Sequence, residues 1–284
     1  MDFGIVITAH NCAEFIEHSV KSVFGQTLKP KEVVVVDDHS EDRTFETLQR
    51  LKEKYSTLRV VRNGRNLERC ASRNRGAKLL TAEWVCFLDC DDLWLPDYLE
   101  KTKARLTAGK FDASFGLPAL FVNPEGLPIR KKKKPKESFE TLLYGGRVGY
   151  PSGSCFRRET FLRLGGYKER YLMREDWEIF LRFHTEGLKI SFIPLHGYAI
   201  REHSNRTSRG NRKFLETTLR VVEDYLPKTP KGYREYLLHH AAVQCFRFGD
   251  KRCGFKYLRE LLKGDWKRVL TPKGIWEILK RLPR

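Results

Sequence analysis

Two apolar runs of this chain end abruptly in carboxylates, and that pairing limits what it can fold into. Val85 to Leu88 runs into Asp89, Asp91 and Asp92 within "VCFLDCDDLWLPDYLE", and Glu32 to Val36 runs into Asp37 and Asp38 within "VVVVDDHSED". An apolar run bounded this way reads as a buried strand. Three carboxylates at one strand end are costly, because like charges raise one another's pKa and burial adds a desolvation penalty. A divalent cation is the simplest compensation, since Mg²⁺ and Mn²⁺ take carboxylate oxygens together with substrate phosphates. One Asp-Asp pair alone reads equally well as an acidic helix N-cap. The second acidic strand end tips the balance toward a metal site.

Around these runs, strands and helices alternate. Strand patterns at Phe3–Thr8, Glu32–Val36, Leu58–Arg62 and Trp84–Leu88 are separated by helical spacings over Glu14–Phe24, Phe45–Tyr55 and Ser72–Leu80. Such alternation predicts right-handed βαβ units and a mostly parallel α/β sheet flanked by helices. Ligands of such sheets sit outside the carboxyl ends of the strands, where Asp37, Asp38, Asp89 and Asp91 fall. Trp94 to Leu99 is helix-compatible, and residues 116 to 151, rich in Gly, Pro and Lys, read as an exposed loop centred on "RKKKKPK" from Arg130 to Lys136. Helices are expected over Glu159–Leu164 and Asp176–Glu186. Past Asn211 the pattern is purely helical, ending in a short apolar-faced helix from Ile275 to Leu282. These patterns give an α/β domain over residues 1–210 and a helical C-terminal extension over 211–284.

The bulk properties exclude several classes. No run of about eighteen apolar residues is present, so no membrane-spanning helix is expected. "MDFGIVITAH" enters a strand at once, without a basic region or cleavage site, so no secretory signal is expected. The seven cysteines are odd in number, scattered and free of any Cys-x-x-Cys pair, which argues against disulfides and zinc and for a reducing cytoplasm. The net charge of +18 calls for an anionic partner. Nucleic acid fits poorly, for want of a helix-turn-helix, an RNP-type aromatic pattern or a zinc finger. Phosphorylated substrates and anionic lipid headgroups remain. From Lys251 to Arg284 there are eleven Lys or Arg against three acids, and "GIWEILKRL" sets Ile275, Trp276, Ile278, Leu279 and Leu282 on one broad face. A basic amphipathic helix of this kind lies in the headgroup plane of an anionic membrane, or packs on its own domain. The expected location is therefore the cytoplasm, with peripheral association at the inner face of the membrane.

Four segments carry candidate chemistry. A carboxylate at the end of the Val33–Val36 run, Asp37 or Asp38, can accept hydrogen bonds from a base or ribose. No Gly-x-Gly-x-x-Gly or Walker-type loop is present to cradle phosphates. In "NLERCASRNRGAKLL", Arg69, Arg73 and Arg75 sit near the start of a helix, where an inward arginine offers bidentate donors to a diphosphate; Arg75 reads as a surface residue. In "YLMREDWEIFLRFHTEG", Asp176 is either a simple N-cap or a base whose pKa is raised beside Trp177. In "YAIREHSNRTS", His203 is either a surface residue or an imidazole ligand beside carboxylates, a donor set that suits Mn²⁺ more than Mg²⁺.

Taken in order, "IVITAHN", "SVFGQTLKPKEVVVVDDHSED", "NLERCASRNRGAKLLTAEWVCFLDCDDLW" and "FRRETFLRLGGYKERYLMREDWEIFLRFHTEG" resemble the blocks of the family 2 glycosyltransferases, over roughly residues 3 to 208. The resemblance implies the GT-A fold and a nucleotide-sugar donor. It implies that Thr8, His10 and Asn11, with Asp38, hold the nucleobase, and that Arg73 and Glu175 belong to the nucleotide-sugar site. Asp89-Cys90-Asp91 matches the Asp-x-Asp motif, its first acid near the ribose and its last on the metal. Asp176 matches the catalytic base and His203 the late histidine that completes the metal site. His10 stands where Tyr is frequent, His39 and Glu68 stand where Gly is usual, and Ser72 replaces the Ala before Arg73.

The resulting expectation is an inverting, Mn²⁺- or Mg²⁺-dependent glycosyltransferase using a UDP-sugar, with a saccharide or lipid-linked acceptor of cell-surface glycan synthesis. The rivals are a nucleotidyltransferase on a similar sheet, which would carry a glycine-rich basic loop after the first strand, and a non-catalytic binder of anionic polymer or lipid.

Overall fold

The computed structural model describes residues 1–203 and 212–281. Its chain forms two compact units, one of Met1–Pro135, Tyr150–Glu169 and Gly187–Asn205, the other of Lys136–Gly149, Arg170–Glu186 and Arg206–Arg284. The boundary expected at residue 210, the end of the fourth motif at Ser204–Ser208, and Leu282 lie outside the described residues.

The first unit opens as the alternation requires: β1 (Phe3–Ala9), α1 (Ile16–Phe24), β2 (Glu32–Asp37), α2 (Thr44–Lys54), β3 (Leu58–Arg62), α3 (Glu68–Leu79) and β4 (Trp84–Asp89). These four strands lie in the order β3-β2-β1-β4, and every pair is parallel. Val33 to Val36 are at most 1% exposed because both faces of β2 are covered, which is why the run reads as unbroken valine. Gly76 lets α3 lie directly on β1, since a Cβ there would stand 2.4 Å from Val6 Cγ1.

Beyond Asp92 the structure departs from the sequence reading. Trp94 belongs to a short strand, β5 (Leu93–Trp94), and the next helix, α4 (Tyr98–Thr107), starts only after Asp97. The expected loop of residues 116–151 is largely ordered: β6 (Ala113–Val122) and β7 (Pro128–Lys131) pair antiparallel, and α5 (Phe139–Tyr144) follows in the second unit. The first two residues of the basic block, Arg130 and Lys131, thus end an edge strand, with Arg130 over the Phe121 ring at 4.0 Å. Cationic side chains on an exposed edge also oppose pairing with another chain. Next come β8 (Ser154–Arg157), α6 (Arg158–Arg163), α7 (Glu175–Thr185) and β9 (Ile190–Arg201). β8 joins β4 to β6 antiparallel, β9 runs parallel to β6, and β5 closes the order β3-β2-β1-β4-β8-β6-β9-β5.

The register also corrects the reading of the cysteines. Cys86 of β4 and Cys155 of β8 face each other directly and form a disulfide across 69 residues of chain, with Cα atoms 4.1 Å apart. Sequence spacing carries no trace of a cross-strand pair between non-consecutive strands.

The second unit holds α5, α7 and the helices α8 (Arg212–Tyr225), α9 (Arg234–Arg247), α10 (Lys251–Leu262) and α11 (Pro272–Leu279). Its interior contains a buried ion pair, Glu178 with Arg182 at 2.9 Å, and the Tyr225 hydroxyl donates to the same carboxylate. No described helix is long and apolar enough to cross a membrane.

His196 of β9 gives the first unit a pH-dependent stability. Its ring is 1% exposed, stacks on Tyr98 at 4.0 Å and places Nε2 2.8 Å from Thr102 Oγ1. Because that hydroxyl donates to the Tyr98 carbonyl, Nε2 must carry the ring proton, and Nδ1 has no hydrogen-bond partner among the described residues. Burial, assisted by the Lys101 charge, therefore pushes the imidazole pKa down to about 3. An unfolded histidine titrates near 6.5. The unfolded chain takes up a proton that the folded chain refuses, so stability is lost as pH falls from about 6.5 toward 3, by at most about 1.4 kcal/mol per pH unit. Denaturant unfolding at pH 7, 6 and 5 should show this slope, and His196→Gln should flatten it. Equal slopes in both proteins would remove His196 as its source.

Candidate functional site

In the first unit the carboxyl ends of β1, β2 and β4 bring the expected residues together. Thr8 pairs with Val36 on one side and Asp89 on the other. His10 Nδ1 donates to the Asp38 carbonyl at 2.8 Å, leaving Nε2 to accept from Asn11 and Asn66 at 3.3 Å each. Asn11 adopts φ 48, and its side-chain carbonyl accepts from the Glu41 N–H at 2.8 Å. Asp38 is 4% exposed, and its Oδ1 accepts from Asn63 Nδ2 at 2.7 Å and from the Leu67 N–H at 2.8 Å.

His39 and Glu68, the two positions singled out for lacking glycine, have φ of 59 and 67. That left-handed backbone costs roughly 1–2 kcal/mol for a residue with a Cβ. Sparsely populated backbone of this kind concentrates at functional sites.

The Asp89–Asp92 turn is fixed from several directions. Arg73, 4% exposed on α3, donates from Nη2 to Asp89 Oδ1 at 2.7 Å with its guanidinium over the Tyr167 ring at 5.3 Å. Asp91 Oδ2 lies 2.9 Å from His203 Nε2, across 112 residues of chain. Asp92 is buried, accepting from Ser152 Oγ at 2.6 Å and from the Arg201 N–H at 3.1 Å. Burial first, and then the charges of Asp91 and Asp89, push the Asp92 carboxyl well above the usual carboxylate range. Like-charge crowding at this strand end, inferred from sequence, is thus present in the geometry.

Several positioning residues escaped the sequence reading. Arg201, fully buried at the end of β9, donates from Nε to the Asp91 carbonyl at 2.8 Å and from Nη1 to the carbonyls of Asn123 and Pro124. Ser19 Oγ lies 2.7 Å from the carbonyl oxygens of both Cys90 and Asp92. Asn63 bridges Asp38 to Ser72 and accepts from Arg75 Nη1, so Arg75 is a brace rather than a surface residue. The one usable signal was "REH": a charged residue of a mostly apolar strand, two positions before His203.

A divalent cation fits this donor set. Asp91 and His203 offer an oxygen and an imidazole nitrogen side by side, and that mix suits Mn²⁺. Among the described residues no group of three or more His, Cys, Asp and Glu gathers as a metal cluster.

Glu175 and Asp176 lie in the second unit, in the first turn of α7. The N-cap position is Arg174, with no side-chain cap, so Asp176 is not the helix cap. Its Oδ1 accepts from the Trp177 N–H at 2.8 Å, and Glu175 is buried. The start of α7 is tied to α5 by Trp177 Nε1 donating to the Leu143 carbonyl at 2.7 Å, and Arg174 stacks on the Trp177 ring at 4.3 Å. Gly149, at φ 141, presses on Asp176: a Cβ there would stand 3.0 Å from its Cγ and Oδ2. Met173, at φ 86, adds a second strained backbone position three residues before Asp176.

The sequence matches the profile described as Glycosyl transferase family 2 over residues 4–165. The chain belongs to that family, and it is a glycosyltransferase. WfaP of Escherichia coli, a UDP-Glc:alpha-D-GlcNAc-diphosphoundecaprenol beta-1,3-glucosyltransferase, is 24% identical over 257 residues, 88% of this chain and 98% of its own. The amylovoran biosynthesis glycosyltransferase AmsB of Erwinia amylovora is 29% identical over 212 residues, 70% of this chain and 69% of its own. Among solved structures, S. aureus TarS 1-349 in complex with UDP-GlcNAc superposes with a TM-score of 0.71 at 17% identity, covering 99% of this chain and 89% of that one. That likeness carries the fold, which is GT-A.

Proposed function

We propose that this glycosyltransferase moves a sugar from a UDP-sugar to an acceptor hydroxyl with inversion, in the synthesis of a cell-surface glycan built on a lipid-linked saccharide. The observation that carries the reading is the Asp91–His203 pair at 2.9 Å beside Asp89, held at the carboxyl end of β4. WfaP acts on a diphosphoundecaprenol-linked sugar with a UDP-sugar, and the TarS complex contains UDP-GlcNAc; both support this donor and acceptor class.

In this reading Thr8, His10, Asn11 and Asp38 bind the nucleobase, and Asp89, oriented by Arg73, meets the ribose. Asp176 accepts the proton of the acceptor hydroxyl. The acceptor oxygen bonds to the anomeric carbon as the carbon–oxygen bond to the diphosphate breaks on the opposite face, which inverts the centre and releases UDP. Asp91 and His203 would hold a divalent cation, which when bound would supply charge neutralisation for the leaving diphosphate. Arg201, Ser19 and Ser152 keep the Asp89–Asp92 turn in place.

Ligands that bind only the native state raise its melting temperature. With Mn²⁺ present, UDP should raise Tm more than GDP, CDP or ADP at equal concentration. A larger shift with another base would overturn the assignment of UDP.

A further inference from the structure

Of the ten large hydrophobic side chains exposed anywhere among the described residues, six lie between Phe255 and Leu279. Scattered single apolar residues on a surface need no explanation, but such a concentration marks an interaction surface. On α10, Phe255 and Leu262 are 52% and 50% exposed, while Gly254, Tyr257 and Leu261 turn inward. Arg252, Lys256, Arg259 and Lys263 share the exposed stripe with them, at helical spacing. On α11, Ile278 is buried, whereas Ile275, Trp276 and Leu279 are 43%, 62% and 53% exposed. The broad face foreseen from sequence is thus split, one residue inward and three outward.

We propose that the exposed stripes of α10 and α11 form a docking surface for an anionic lipid bilayer. Charge complementarity selects this occupant. Residues 251 to 284 carry eleven Lys or Arg against three acids, so a second copy of the chain would bring like charge against like charge. The cores of protein interfaces are depleted of lysine, but here lysine and arginine alternate with aromatic and aliphatic side chains along one helix face. That mixture matches the headgroup plane, where cations meet phosphates and Trp and Phe enter the acyl boundary. No described helix is long and apolar enough to cross a bilayer. The surface goes beyond the catalytic reading, and vesicle binding reads it without any donor or acceptor.

The test is flotation of the full chain with phosphatidylcholine vesicles, with and without phosphatidylglycerol, at low and high salt. Binding should require phosphatidylglycerol and weaken with salt. Trp276→Ser with Leu279→Ser should reduce partitioning by about tenfold or more, and Lys256→Glu with Arg259→Glu should do the same, each with an unchanged Tm. The second pair keeps the test valid if the first fails to fold. Absence of vesicle binding by the wild type, or equal partitioning of the wild type and both variants, overturns the proposal. So does a wild-type dimer in light scattering that Trp276→Ser with Leu279→Ser dissociates, which would assign the surface to a second copy.

Discussion

Asp91→Asn is expected to abolish turnover while leaving the protein folded. Asp91 contributes the carboxylate that faces His203 at 2.9 Å, and an amide in its place is a poor ligand for a hard cation. Charge neutralisation at a leaving diphosphate is worth several kcal/mol, so the loss should reach roughly 10³-fold or more. The fold should survive because the backbone at Asp91 is held independently, through its carbonyl to Arg201 Nε at 2.8 Å. Removing this charge also relieves Asp92, whose carboxyl is pushed up partly by Asp91. The measurement pairs nucleoside diphosphate release with a thermal melt. Full activity in the variant, or in excess chelator, would sink the metal-dependent mechanism.

Asp176→Asn should lower kcat by about two to four orders of magnitude with donor affinity little changed. The amide retains the bond from the Trp177 N–H but cannot accept a proton. Gly149→Ala offers a second approach that leaves the carboxylate chemically intact. Its added methyl would meet Asp176 at 3.0 Å on a backbone at φ 141, so the carboxylate must move and kcat should fall. If donor binding collapses in Asp176→Asn, the residue belongs to the donor site or to the fold and the role assigned here is wrong.

What the sequence made legible follows physical periodicity. β1, β2 and β4 were readable because strands buried on both faces must be continuous apolar runs, and the acids at the ends of β2 and β4 announced the site. The helices of the second unit past residue 211 were readable through their inward faces, as with Leu215 and Val222 of α8, whereas α5 lay hidden in the expected loop. β6 was hidden because Gly116 and Pro118 read as turn residues, whereas the structure absorbs them with register shifts against β9 at both positions. β8 is four residues long, too short for a period, and its pairing with β4 brings Cys155 to Cys86. At the site, the acids and His203 were visible through residue type. Arg201, Ser19 and Ser152 were not, because they act through backbone atoms of the Asp89–Asp92 turn, and such contacts leave no spacing pattern.

The central claim, sugar transfer from a nucleotide-diphosphate donor, is tested most directly by product analysis with a panel of nucleotide-sugars and a lipid-linked saccharide, with and without Mn²⁺. The account predicts release of UDP, dependent on acceptor and on the divalent cation, with the anomeric configuration of the product opposite to that of the donor. Release of pyrophosphate from a nucleoside triphosphate and a sugar phosphate, with no transfer from any nucleotide-sugar, would contradict it.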